Sequence, residues 1–291
     1  MVYELENEFI KVAAETKGAQ IKSIYRKNGN IEHLWQGDPT FWKNRGPMLF
    51  PVVGRSVGGK YSYNGKEYEI GVHGFARDKE FVLVEKTDTK MTFAISATED
   101  TLKVYPFEFI LKISYEIKAN SVIMNTEVEN VGNSVMFFGL GGHPGFNVPI
   151  DGGKFEDYYL ETDNTCAPER LTLTENYMMS GKKEPYPLES GKILRLKHDL
   201  FDNDAVILEN CDRSITIRGK STEKAVNVKF PKMPYVGIWH TVKAEAPFVC
   251  IEPWENLPAI DGKVEDITSK ANIGKLEKGE KYESPIIITL L

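Results

Sequence analysis

Two of the five histidines stand among glycines: His73 in Gly71-Val72-His73-Gly74-Phe75-Ala76-Arg77, and His143 in Gly139-Leu140-Gly141-Gly142-His143-Pro144-Gly145-Phe146-Asn147. Imidazole can give or take a proton near neutral pH. Glycine neighbours let another molecule come close to the backbone, and Pro144 holds His143 extended. That pattern suits a ligand-facing loop; the plainer alternative is two loop histidines satisfied by carbonyls. Glu252 closes the apolar run Phe248-Val249-Cys250-Ile251-Glu252, with Pro253 expected to end the strand there. A carboxylate in that place is partly desolvated, which raises its pKa toward the working pH and suits a general base. Otherwise it turns to water.

Around this trio stand groups that could hold a polar ligand. Arg55 follows the apolar segment Pro47–Gly54 and either binds ligand oxygens or pairs with a buried acid. Asp202 and Asp204, just before Ala205-Val206-Ile207-Leu208, either face a pocket or make the turn. Arg77 lies four residues beyond His73. Trp239 precedes His240, which could line a site through it. Trp35, Trp42, Trp239 and Trp254 could stack on the apolar face of a sugar ring. His33, between apolar neighbours, and His198, among charged ones, read as structural or surface residues.

Other chemistries lack their marks. There is no phosphate-binding glycine loop, dinucleotide fingerprint, serine elbow or HExxH pair. A metal site from His73, His143 and Glu252 is conceivable, but no pair has helical or HxH ligand spacing, so none is expected. Cys166, Cys211 and Cys250 are an odd number, far apart and in no CxxC pair, which fits reduced structural thiols. Cofactor-free acid–base chemistry on a polar ligand remains.

The elements that must carry these groups are strands. The 291 residues are 41% hydrophobic and 27% charged, an ordinary globular balance, and a net charge of −6 gives no footprint for nucleic acid or an anionic membrane. The first residues lack an export leader and no apolar run is long enough to span a membrane, so a cytoplasmic protein is expected. Alternation dominates. Phe107, Phe109, Leu111, Ile113, Tyr115 and Ile117 share one face, and Val122, Met124, Thr126 and Val128 repeat the pattern after a turn, predicting a long hairpin. Asn28-Gly29 and Asn64-Gly65 ask for tight type I′ hairpins. The segment Glu169–Met179, ERLTLTENYMM, is the best candidate for a short helix. With about twenty strands and no linker, one all-β domain over residues 1–291 is predicted, a large antiparallel β-sandwich.

The ordered set VVGR, GVHGFAR, GGHPGFN, FDNDAVIL and FVCIEPWENLP resembles the aldose 1-epimerase (mutarotase) family, through nearly the whole chain. The resemblance implies a β-supersandwich without a cofactor. It implies His143 as general acid, Glu252 as general base, His73 near the ring oxygen, and Arg55 and Asp204 on sugar hydroxyls. The glycine contexts of both histidines depart from the asparagine-rich ones of galactose mutarotases. They look more like a branch with members in lactose and tagatose 6-phosphate gene clusters. The expected substrate is therefore a hexose or hexose 6-phosphate; Arg77, Lys60 and Lys66 are candidate phosphate contacts, though Arg77 could equally pair with an acid. The expected reaction is interconversion of anomers. A non-catalytic sugar-binding or regulatory protein on the same fold is the alternative; a polysaccharide-cleaving enzyme is weaker, since few exposed aromatics suggest a chain-binding groove.

Overall fold

The computed structural model describes all 291 residues. Alternating sequence becomes alternating burial: along Phe109–Lys118 and Ser121–Asn130 every second side chain enters the core, and the two strands pair antiparallel from Phe109↔Asn130 to Lys118↔Ser121. This hairpin lies inside a nine-stranded antiparallel sheet. In spatial order its strands are 193–195, 158–162, 214–219, 226–229, 281–290, 121–130, 109–118, 90–96 and 82–86. An eight-stranded sheet runs 179–185, 169–173, 206–209, 235–239, 248–254, 141–142 and 48–49, with 145–147 also on 248–254. A four-stranded sheet formed by residues 2–6, 10–15, 21–26 and 31–32 packs its buried face into the same core.

The core between the layers is apolar and aromatic. Phe50, Phe93, Tyr105, Phe109 and Tyr115 are fully buried, and Phe50 meets Tyr105 edge-on at 5.6 Å. Such contacts add about 0.5–1.5 kcal/mol each beyond the area they bury. The buried hydroxyls find backbone acceptors: Tyr105 donates to the Phe137 carbonyl at 2.8 Å and Tyr115 to that of Ala19 at 2.6 Å.

Local expectations fared unevenly. Asn64 and Gly65 both take positive φ, 51° and 74°, and close Tyr63 onto Lys66 in the expected two-residue turn. The other hairpin forms, but Arg26 pairs with Ile31 across four residues, and the positive φ values fall on Gly29 and Asn30 rather than Asn28 and Gly29. The expected helix at 169–179 is absent. Glu169–Leu173 is a strand between Val206–Glu209 and Met179–Pro185, and a tight turn at Tyr177, φ 57°, leads into the latter. Alternation of Leu171 and Leu173 with polar residues was the stronger signal there. The one α-helix, Glu99–Val104, starts at Thr98, whose side chain and that of Thr101 cap each other's backbone N–H groups. No helix is long and apolar enough to cross a membrane.

Pro253 does not end its strand. Phe248–Trp254 is buried throughout and pairs with Tyr235–Trp239 as far as Trp254↔Tyr235. On the opposite side the Ile251 N–H donates to the Pro144 carbonyl and the Glu255 N–H to the Leu140 carbonyl. Residue 253 faces that side between them, where the neighbouring chain breaks its ladder at His143-Pro144, so proline's missing N–H costs no hydrogen bond.

Candidate active site

The strand Phe248–Trp254 fixes the centre of the site. Two short strands of one chain segment flank it, pairing Gly141 with Trp254 and Gly145 with Cys250. That register places His143 opposite Glu252, 109 positions away in sequence. The imidazole Nε2 lies 3.2 Å from the carboxyl Oε2, with the side chains 8% and 2% exposed. On the other side Glu252 faces Gly237, which has no side chain to cover it.

The glycines beside His143 serve a different end from the one expected. A Cβ at Gly142 would lie 2.4 Å from the Ile286 side chain, and one at Gly141 2.8 Å from the Trp254 ring. None of these glycines lines the cavity over the pair. They admit the protein's own side chains, so the bare backbone seats His143 against the core instead of clearing space for a ligand.

The cavity above the pair has a volume of about 260 Å³ and brings together seven of the candidates: Arg55, His73, Arg77, His143, Asp204, Trp239 and Glu252. It is smaller than the roughly 300–1,000 Å³ of sites for drug-sized ligands, and fits a compact polar molecule. His73 takes a left-handed backbone, φ 63°, and exchanges two bonds with Gly54: its N–H donates to the Gly54 carbonyl at 2.9 Å, and its Nδ1 accepts from the Gly54 N–H at 3.1 Å. Since Nδ1 is an acceptor, the proton of the neutral ring resides on Nε2. The His73 and His143 rings stand edge to face, 5.5 Å apart.

Burial sets the protonation states. It pushes His143 down to about 3, an effect the Arg77 charge reinforces. It holds His73 well below the usual imidazole range, with His143, Arg77 and Arg55 adding to the effect. Burial lifts Glu252 well above the ordinary carboxylate range, and the Asp204 charge adds to it. The Trp254 indole N–H, buried without a hydrogen-bond partner, offsets this in part as a nearby dipole. Desolvation is therefore far stronger than the partial burial expected of a strand end. The resting pair is a neutral imidazole and a carboxylic acid, with one proton between Nε2 and Oε2. Asp204, in a left-handed turn at φ 71°, is also raised by burial, while the Trp239 indole and Arg55 work against the shift.

Aromatic walls complete the cavity. Trp42 stacks on His143 at 4.7 Å and 24° and on Phe248 at 5.7 Å, which fixes the imidazole plane. Trp239 meets His143 edge-on at 5.5 Å. Trp254 lines the wall, whereas Trp35 lies behind it, stacked on Phe248 at 4.6 Å. Leu173 and Tyr177 were missed because their segment was read as a helix; the Arg55 guanidinium sits 5.4 Å from the Tyr177 ring centre. His240 does not reach the cavity. It is fully buried behind Trp239, with Nε2 3.0 Å from His198 Nδ1 and Nδ1 2.8 Å from the Thr241 carbonyl. Lys60 and Lys66 are elsewhere, on Glu67 at 3.0 Å and over the Tyr68 ring at 4.9 Å.

Comparison with known proteins finds relatives over nearly the whole chain. The aldose 1-epimerase family model matches residues 1–288. The plasmid and chromosomal LacX proteins of Lactococcus lactis are each 33% identical over 270 residues, 88% of both chains. A galactose mutarotase related enzyme of Lactobacillus acidophilus superposes with a TM-score of 0.95 at 34% identity, covering 100% of this chain and 97% of its own. A galactose mutarotase-like protein of Lactobacillus casei gives 0.95 at 31% identity, with 100% of both chains covered. From its fold, its family match and these relatives, the chain belongs to the aldose 1-epimerase family.

Proposed function

We propose that the protein is a mutarotase, interconverting the α and β anomers of a hexose by opening and reclosing the pyranose ring. The observation that carries this reading is the buried His143–Glu252 pair, 3.2 Å apart on the cavity floor. Ring opening needs one group to take the proton of the anomeric O1 and another to deliver one to the ring oxygen O5. A pair holding a single proton supplies one donor and one vacant lone pair.

In the reactive form the shared proton sits on His143 and Glu252 is ionised. Glu252 takes the O1 proton, His143 protonates O5, the C1–O5 bond breaks and the C1 carbonyl forms. The pair is then neutral imidazole and carboxylic acid, the state that burial favours, while the open-chain aldehyde turns about C1–C2. Reclosure on the other face reverses every transfer, so no net proton is consumed. Well-placed acids and bases each contribute about 10²–10⁴-fold, which is ample for a reaction that proceeds unaided in water.

The remaining groups hold the ring. His73 Nε2–H donates toward an oxygen near O5, Asp204 accepts from a hydroxyl, and Arg55 reaches from the rim. Trp239 and Tyr177 offer apolar faces not already covered by His143. Neither arginine has a carboxylate closer than the 3.8 Å between Arg77 Nε and Asp78, so both can meet an anionic substituent, and hexose 6-phosphates belong among the substrates to try. The test is polarimetric relaxation of fresh α-glucose and α-galactose. Wild type accelerates it, and His143→Ala and Glu252→Gln each abolish the acceleration while keeping the fold. Wild-type rates in both variants would remove the assigned roles.

A further inference from the structure

A third heteroatom faces the spot where His143 and Glu252 meet. Cys250 lies two residues before Glu252 on one strand, so alternation sends both side chains to the same face. Its pairing with Gly145, whose missing Cβ would sit 3.3 Å from Sγ, keeps the thiol close beneath His143. One ligand atom each from His143, Cys250 and Glu252 lie within 4.8 Å of one another, and all three residues are buried. A tetrahedral zinc ion, with bonds of about 2.0–2.3 Å, sets its nitrogen, oxygen and sulfur ligands roughly 3.3–3.6 Å apart. The His143–Glu252 separation of 3.2 Å is already of that size, and rotation of the side chains covers the rest.

We propose that His143, Cys250 and Glu252 form a site for a soft or borderline dication, Zn²⁺ or Cd²⁺, whose binding blocks the proton-transfer pair. Charge selects the dication. All three residues are buried, and with the thiol and the carboxyl each carrying its proton the trio is uncharged. A dication replacing those two protons leaves a thiolate, a carboxylate and a neutral imidazole around two positive charges, again zero. A monovalent or trivalent ion leaves a net charge in a place that cannot solvate it. Sulfur and nitrogen donors with a single carboxylate discriminate against Mg²⁺ and Ca²⁺.

Entry runs through the cavity, which His143 and Glu252 line, with Cys250 one layer deeper. Asp204 lines the same cavity. The ion occupies the Nε2 lone pair and the carboxylate together, so it acts as an inhibitor and not as a cofactor. The inhibitory part rests on the mutarotase reading; the binding part does not.

The experiment uses the full chain with Cys166→Ser and Cys211→Ser, leaving Cys250 as the one thiol, made metal-free and titrated with Cd²⁺. The expected result is a thiolate-to-cadmium charge-transfer band in the ultraviolet that saturates at one equivalent and is displaced by Zn²⁺. Cys250→Ser abolishes the band. Glu252→Gln, a second variant that keeps the packing, retains the band but weakens Cd²⁺ binding at least tenfold. In parallel, Zn²⁺ suppresses anomer relaxation, and each variant's rate is compared with its own metal-free rate. No band, or a Cd²⁺ affinity that Glu252→Gln leaves unchanged, overturns the site. A band without any relaxation activity in the metal-free protein keeps the site and removes the mutarotase reading.

Discussion

Glu252→Gln is the most informative single change, because the structure sets both its size and its pH signature. In the wild type the carboxyl and the imidazole share one proton at 3.2 Å. Glutamine keeps the shape but can neither hold that proton nor accept one from O1. His143 must then act alone, and burial holds it at about 3. At pH 7 an imidazole of that pKa is protonated in only about one molecule in 10⁴. The wild-type pair also reaches its reactive tautomer only as a minor form, so the acid arm predicts a fall in kcat/KM below that ratio, about 10²–10⁴-fold. The lost base adds less than its separate worth, because groups acting as one unit are not additive. The distinguishing mark is recovery in acid: between pH 7 and pH 5 the residual catalysed rate rises about tenfold per pH unit as His143 gains its proton. Polarimetric relaxation with the uncatalysed rate subtracted at each pH measures it, with the fold checked by circular dichroism. A folded variant within tenfold of wild type at pH 7, or one whose residual rate ignores pH, refutes the shared-proton account.

Three further perturbations test the surroundings. In Asp204→Asn the left-handed turn is tolerated, a hydroxyl acceptor is lost, and a charge that raises Glu252 disappears; KM rises and the alkaline limb of kcat/KM moves to lower pH, whereas an unmoved limb would contradict the coupling. In Gly74→Ala the new Cβ falls 2.2 Å from the Phe50 carbonyl at φ 75°, so stability drops by about 1–3 kcal/mol and His73 is displaced, read as a lower Tm with a raised KM. His33 is fully buried and held down to about 4. Between that value and about 6.5 the unfolded chain binds the extra proton, so stability is lost as pH falls through this window. His33→Gln therefore shrinks the stability lost between pH 7.5 and 5 by about 2 kcal/mol in denaturant titrations; an unchanged loss assigns the acid sensitivity elsewhere.

Much of this was legible before any coordinates. Alternation reveals strands directly, and the long hairpin at 109–130 follows the pattern residue for residue. Motifs whose chemistry is local, such as Asn64-Gly65, also read true. What could not be read was anything decided across sheets. Pro253 looks like a strand end until the break in the neighbouring ladder at His143-Pro144 is known. The glycines around His143 look like room for a ligand until Ile286 and Trp254 are seen to fill it. Leu173 and Tyr177 belong to the cavity only because their segment is a strand. The seven candidate site residues were found by residue type and by the family resemblance, and a long-range register brought His143 and Glu252 into contact. That register, and the depth of burial that fixes the pair's proton, have no local signature.

Whether this cavity turns over a sugar or merely holds one is decided at equilibrium. Exchange NMR on equilibrated free hexoses and their 6-phosphates measures anomer interconversion directly at equilibrium. The account predicts exchange cross-peaks between α and β H1 signals that grow with protein concentration for at least one sugar and vanish in Glu252→Gln. Saturable binding by calorimetry with no added exchange, across the same panel, would contradict it and leave a sugar-binding protein on a mutarotase fold.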